Sequence, residues 1–118
     1  MKFDIPHCVP NMDFSEASAC DEVIFENEPS RGRHVEEFEE LVATATGRAW
    51  CVATCSGSAS LHLALLASNI GEDSTVYVPS FTFAATVNAI LYAGATPWFV
   101  DIDDNWVAQI GDSFDGPT

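Results

Sequence analysis

The chain has 118 residues, 47% of them hydrophobic, which is the size of one small domain with enough apolar content for a core. Its 18 acidic and 4 basic residues give a formal net charge of −14, which disfavours binding to nucleic acid or to an anionic membrane surface. The first ten residues lack the apolar run of a secretory signal, so we expect a cytoplasmic protein with reduced cysteines.

Two helices are predicted in the first part of the chain. Asp13 and Glu16 have the spacing of a capping box and predict a helix that extends to about Asn27. Residues 34–46 repeat apolar side chains at helical spacing, and Gly47 follows them, which predicts a second helix that ends there.

The middle of the chain alternates predicted strands and helices. The strands are predicted at residues 49–55, 75–80 and 96–102, and helices over 58–69 and 84–92 lie between them. Strands that are apolar on both faces and connected by helices are typical of a parallel sheet covered on both sides. We therefore predict an α/β fold with three layers, α-β-α, parallel strands and a buried core in the uncharged stretch 74–100.

The joint between the first predicted strand and its helix is a candidate anion site. Ser56, Gly57 and Ser58 have little side-chain bulk, so a ligand can come close to the main chain. The first backbone N–H groups of a helix have no partners within the helix and lie at the positive end of its dipole. The joint matches neither GxGxxG nor a Walker loop, so these residues alone do not identify the anion.

Other reactive or aromatic side chains near the joint allow more than one interpretation. Cys51, Cys55 and His62 could be imagined as metal ligands, but their spacing is not a zinc signature, so we interpret the thiols as packing and predict no metal site. His62 is interpreted as a core or interface histidine. Phe81 and Phe83 follow a predicted strand, where a phenylalanine either fills the core or offers a flat face to a ring.

Four blocks in fixed order carry a resemblance to a known family: FE followed by ATG, SGS with ASLHLAL, PSFTFAATVNAI, and GATPWFVDID. Between about Ser30 and Asp103 the chain resembles the amino-terminal part of the DegT/StrS family of pyridoxal phosphate (PLP)-dependent sugar aminotransferases, which have the fold-type I, aspartate-aminotransferase-like architecture. The resemblance implies an amino-terminal helix and loop segment at residues 1–33, part of the PLP-dependent transferase large domain at 34–104, and an incomplete tail at 105–118.

The resemblance also implies a cofactor site. The backbone N–H groups of Gly57, Ser58 and Ala59, together with the Ser58 hydroxyl, match the family's contacts to the PLP phosphate. Ser58 stands where the family usually has threonine and keeps the hydroxyl. Phe83 matches the aromatic residue that stacks on the pyridine ring, whereas Phe81 is left to the core.

The family's chemistry also needs a Schiff-base lysine and an acid that pairs with the pyridinium nitrogen, and both lie beyond the aligned region. The chain has one lysine, Lys2, in a segment that matches nothing catalytic. The resemblance therefore implies amino transfer, typically from glutamate, to a keto group of a nucleotide-linked sugar in a complete homodimeric enzyme, to which this chain contributes cofactor contacts and no catalytic residue. Alone, the 118-residue chain is expected to be inactive.

Three functions stay open from the sequence. The first is the amino-terminal portion of such an enzyme, in which the sugar and the choice between amino transfer and a related PLP reaction such as dehydration are undecided. The second is a non-catalytic domain that binds PLP or a sugar phosphate. The third is a structural remnant without a ligand.

Overall fold

The computed structural model describes residues 8–26, 30 and 32–110. They belong to two compact units, residues 1–53 and residues 54–118. The predicted tail lies outside the described residues from residue 111 onward, and the predicted domain boundaries stay a prediction. None of the helices within the described ranges combines the length and the hydrophobicity that are needed to cross a membrane.

The described residues of the first unit form two helices, and both confirm the prediction. Helix α1 spans Phe14–Phe25 and begins with the predicted capping box, in which Asp13 Oδ1 accepts a hydrogen bond from the Ser15 N–H at 2.7 Å and Glu16 Oε2 accepts one from the Asp13 N–H at 2.7 Å. Helix α2 spans Arg33–Thr46. It ends at Gly47, whose φ of 65° lies in the left-handed region that glycine adopts most readily.

The second unit is a β-α-β unit preceded by a helix. Its elements, in chain order, are α3 (Gly57–Ala67), β1 (Thr75–Pro79), α4 (Ala84–Tyr92) and β2 (Thr96–Val100). The two strands pair in parallel, with Thr75 opposite Thr96 and Pro79 opposite Val100. The predicted α/β class and the parallel pairing are therefore confirmed.

The core of the second unit forms where α4 packs on α3 and on the two strands. Val76 and Val78 point to one face of β1 because side chains alternate along a strand, and Ile90 of α4 and Leu65 of α3 contact the same cluster. The uncharged stretch 74–100 contains every fully buried residue of the described chain, but most of its side chains stay partly exposed. The fully buried residues are Val78, Ala89, Ile90 and Ala95.

The first predicted strand, at residues 49–55, is wrong. A strand requires a ladder of backbone hydrogen bonds to a neighbour, and the sheet of the described residues contains only β1 and β2. The segment is instead tethered by a side chain, since the Ala53 N–H donates to Glu39 Oε1 at 2.8 Å. Its apolar composition is typical of a buried strand, but Trp50 and Val52 are largely exposed, and composition does not supply the partner that a strand needs.

Candidate functional site

Hydroxyl groups fix the start of α3. Ser56 is the N-cap residue, and its Oγ accepts a hydrogen bond from the Ala59 N–H at 3.2 Å. Thr54 Oγ1 donates to the Ser56 carbonyl oxygen at 3.0 Å and shares a hydrogen bond with Ser60 Oγ. These three hydroxyls hold the turn into the helix, so they are committed to the local fold.

Two backbone donors of the predicted anion site have no acceptor among the described residues. They are the N–H groups of Gly57 and Ser58, the first two residues of α3, where the helix offers no internal partner. The Ser58 hydroxyl likewise makes no hydrogen bond within the described chain. Ala59, the third predicted donor, already donates to Ser56 Oγ, so an anion would have to replace Ser56 as its acceptor.

Gly57 leaves open space beside the backbone. A Cβ built on this residue would meet no atom within 4 Å, and its φ is outside the left-handed region. Neither packing nor backbone conformation therefore requires glycine at this position. The absence of a side chain at Gly57 leaves room for a ligand to contact the N–H groups closely.

Ser58 and Phe83 line one cavity of about 270 Å³. Phe83 is the N-cap residue of α4 and is 80% exposed, so a face of its ring is available to a ligand. The volume is slightly below the roughly 300–1,000 Å³ of small-molecule sites. The structure thus brings these two predicted site residues together, while their roles stay predictions. The rest of the lining comes from α4 and consists of Ala84, Ala85, Asn88, Ala89 and Tyr92.

The described lining of this cavity carries no charged side chain. An anion would therefore be held by neutral donors, namely two backbone N–H groups and a hydroxyl, and by the positive end of the α3 dipole. Phosphate groups bind to helix N-termini through this combination. The donors consequently fit a phosphate, and the neighbouring ring of Phe83 fits an aromatic body attached to it.

The other candidate aromatic and histidine side chains have structural contacts. Phe81 is 66% exposed and packs against Trp106, with ring centroids 4.9 Å apart. Its predicted place in the core is therefore wrong, because the residues after β1 run along the surface and pair two aromatic rings there. The His62 ring contacts the edge of Tyr92, with centroids 6.0 Å apart, which agrees with a packing histidine.

A group of possible metal ligands lies in the first unit, away from the predicted site residues in sequence. Glu22, Glu26 and His34 have ligand atoms within 4.8 Å of one another. Arg33 Nη2 donates to Glu22 Oε1 at 2.8 Å and also to Glu26, and the hydrogen bond with Glu26 raises the pKa of Arg33. A side-chain cation already neutralises these carboxylates, so we interpret the group as an ion-pair network.

The sequence interpretation missed Asn88 and Tyr92 as lining residues. They are four residues apart on α4 and so lie on the same helix face. The available signal was a single amide side chain in the mostly apolar sequence of α4, AATVNAILY, one turn beyond its start.

Comparisons with known proteins identify relatives of this chain. The model of the DegT/DnrJ/EryC1/StrS aminotransferase family matches residues 10–110. GDP-perosamine synthase of Escherichia coli O157:H7 is 42% identical over 84 residues, which cover 70% of this chain and 23% of that protein. The UDP-4-amino-4-deoxy-L-arabinose–oxoglutarate aminotransferase of Shewanella sediminis is 36% identical over 107 residues, which cover 90% of this chain and 28% of that protein.

Solved structures resemble the chain as well. NtdA of Bacillus subtilis, solved with bound cofactor PMP, has a TM-score of 0.69 and 27% identity, and the match covers 87% of this chain and 26% of NtdA. The chain spans 20% to 28% of the length of the curated relatives it matches.

Proposed function

Because the chain belongs to the DegT/DnrJ/EryC1/StrS aminotransferase family, we propose that it forms the part of a PLP-dependent aminotransferase that binds the phosphate and the ring of the cofactor. The cavity shared by Ser58 and Phe83 carries this proposal, since it combines anion donors with an exposed aromatic face. Relatives named for GDP- and UDP-linked sugars support a nucleotide-linked keto sugar as the amino acceptor. Glutamate is the proposed amino donor.

The proposed role divides the cofactor contacts between two helix starts. The N–H groups of Gly57 and Ser58 and the Ser58 hydroxyl would hold the phosphate of PLP, and Phe83 would cover one face of its ring. When bound, PLP supplies an electron sink through which an amino group moves between donor and acceptor. The chain's residues would thus hold the phosphate group of the cofactor and shield one face of its ring from water.

No proton transfer is assigned to the described part of the chain. The described lining of the cavity contains no lysine, histidine or carboxylate, and the single lysine of the sequence, Lys2, lies outside the described residues. This observation favours a second candidate function, which is binding of the cofactor without amino transfer.

We further propose that the protein acts as a homodimer in the cytoplasm. Large apolar side chains are exposed in the described chain, among them Trp50 at 88% and Phe25 at 87%, and burial against a second copy would remove such surface from water. The four cysteines are free thiols, which agrees with a reducing compartment.

An absorbance titration of the purified chain with PLP, with and without borohydride, tests the proposal. We expect saturable binding that borohydride does not convert to a covalent adduct, as checked by mass spectrometry. Reduction onto Lys2 or the amino terminus alone would mean an unspecific reaction, and no binding at millimolar PLP would contradict the proposed function. Binding without conversion of PLP to PMP by glutamate is expected of the isolated chain under both candidates, because the family's lysine lies beyond the aligned region. Conversion on addition of a polypeptide that supplies this lysine would favour amino transfer, and its absence would favour the second candidate.

A further inference from the structure

Asn88 is an amide side chain in the same cavity as Ser58 and Phe83. It lies in the middle of α4, the helix that Phe83 caps, and is exposed. Asparagine is a poor helix former, because its amide competes with the helix for backbone hydrogen bonds. In the described chain the Asn88 side chain makes no hydrogen bond, so the local fold does not use the amide.

The direction of helical side chains brings the amide toward the start of α4. Side chains on a helix tilt toward its N-terminus, and Asn88 lies one turn beyond Ala84. The cavity is lined by Phe83, Ala84 and Ala85 at that end of α4 and by Ser58 of α3. The Asn88 amide therefore shares the cavity with the available hydroxyl of Ser58.

The charge of the site makes an additional donor valuable. A phosphate dianion in this cavity has no cationic side chain within the described lining, and the chain as a whole carries a formal net charge of −14. Neutral donors must therefore hold it, and hydrogen bonds to a charged acceptor are the stronger kind. An asparagine NH₂ group supplies two such donors.

We propose that the Asn88 side-chain amide is a phosphate ligand, which adds a donor from α4 to the donors of α3. This inference rests on the proposed function, because it assigns a further contact to the same cofactor. It makes the site a clamp between two helices, in which α4 contributes both the ring-stacking residue and an anion donor.

Equilibrium dialysis of the full 118-residue chain with pyridoxine 5′-phosphate and with pyridoxine tests the assignment. Neither probe has an aldehyde, so neither reacts with Lys2. We expect Asn88→Ala to weaken binding of pyridoxine 5′-phosphate about tenfold and to leave pyridoxine binding unchanged, since only the phosphate contact is lost. Asn88→Asp should weaken binding of the phosphate probe further, because it puts a carboxylate against the dianion.

The controls separate this inference from the proposed function. Gln109→Glu adds the same charge at an exposed residue outside the lining and should leave both affinities unchanged. Circular dichroism of each variant checks that α4 is intact, and alanine is the better helix former at position 88. Wild-type binding that Asn88→Ala does not change, or an equal loss for both probes, would overturn the Asn88 contact alone. Failure of the wild-type chain to bind either probe would overturn the proposed function together with it.

Discussion

Ser58, in the first turn of α3, and Phe83, the N-cap residue of α4, line the same cavity although β1 lies between them in the sequence. The pairing arises because β1 follows α3 and returns the chain toward the end of α3 at which Ser58 lies, and α4 begins there after β1. Sites at this end, where strands lead into helices, are the general ligand position of α/β sheets. An anion donor and an aromatic face are thus positioned by backbone topology.

Gly57→Ala tests whether a ligand approaches the backbone of α3. The new Cβ meets no atom within 4 Å, so the fold should be kept, and the helix should gain up to about 1 kcal/mol from the replacement of glycine. A phosphate that contacts the N–H groups of Gly57 and Ser58 would be hindered, and we expect binding of pyridoxine 5′-phosphate to fall about tenfold, since loss of a charge-assisted hydrogen bond costs this much. Thermal unfolding and dialysis measure the two effects separately. Unchanged affinity would show that no ligand comes close at Gly57.

Ser58→Asp and Ser58→Thr form a matched pair at the next residue. Asp is favourable in the first turn of a helix, so the variant should fold, but its carboxylate would repel a phosphate and abolish measurable binding. Threonine keeps the hydroxyl and should retain affinity within about a few-fold. Calorimetric titration with pyridoxine 5′-phosphate distinguishes them. Equal affinities of the two variants would contradict a phosphate at Ser58.

Phe83→Leu tests ring stacking without a large change in apolar character. Aromatic pairs contribute about 0.5–1.5 kcal/mol beyond the burial of apolar area, so the dissociation constant of the Phe83→Leu variant for pyridoxine 5′-phosphate should rise about two- to tenfold. The Phe83→Tyr variant keeps an aromatic ring and should bind with normal affinity. Because the side chain is 80% exposed, thermal stability should not change. Phe81→Leu is the control, since that ring packs on Trp106 and is absent from the cavity lining. If Phe81→Leu lost as much affinity as Phe83→Leu, the assignment to Phe83 would be wrong.

Local signals in the sequence predict the helices well. The Asp13 and Glu16 capping box and the left-handed Gly47 act within one turn of chain, so residues a few positions apart determine them. The parallel pairing of β1 and β2 follows because a segment with helical spacing of its apolar residues connects two apolar strands. These elements need no information about distant parts of the chain.

Features that depend on distant partners are predicted less well. Residues 49–55 have the composition of a strand but no ladder partner among the described residues. The surface position of Phe81 depends on Trp106, which no pattern around Phe81 indicates. The hydrogen bond from the Ala59 N–H to Ser56 Oγ was also not predicted, because the sequence of the joint gives residue types and does not say which acceptor each donor binds.

The stability of α1 should fall in acid. Hydrogen bonds from backbone N–H groups lower the pKa of both Asp13 and Glu16 below the ordinary values, so their charged forms stabilise the folded helix. This stability is present above the unfolded pKa values of about 4 and is lost as the pH falls through the lower folded values. Asp13→Asn keeps an N-cap but does not titrate at this position, so its helicity by circular dichroism should decline less between about pH 5 and pH 3. Identical pH profiles for the variant and the wild type would contradict a stabilising role of the Asp13 charge.

Gly94→Ala and Gly71→Ala test backbone strain at two turn glycines, of which Gly94 lies between α4 and β2 and Gly71 lies between α3 and β1. Gly94 follows α4 with a φ of 82°, and a Cβ there would lie 3.3 Å from Glu72 Cγ, so alanine meets both an unfavourable backbone conformation and a close contact. We expect Gly94→Ala to lower the free energy of unfolding by about 1–2 kcal/mol.

Gly71 has no left-handed φ, and its Cβ would lie 3.8 Å from the Ala93 carbonyl oxygen, an ordinary contact. Gly71→Ala should therefore leave the free energy of unfolding unchanged or raise it by up to about 1 kcal/mol, because alanine restricts the unfolded chain. Urea denaturation of both variants measures the difference, and a Gly94→Ala variant as stable as the wild type would mean that the left-handed conformation at Gly94 does not require glycine.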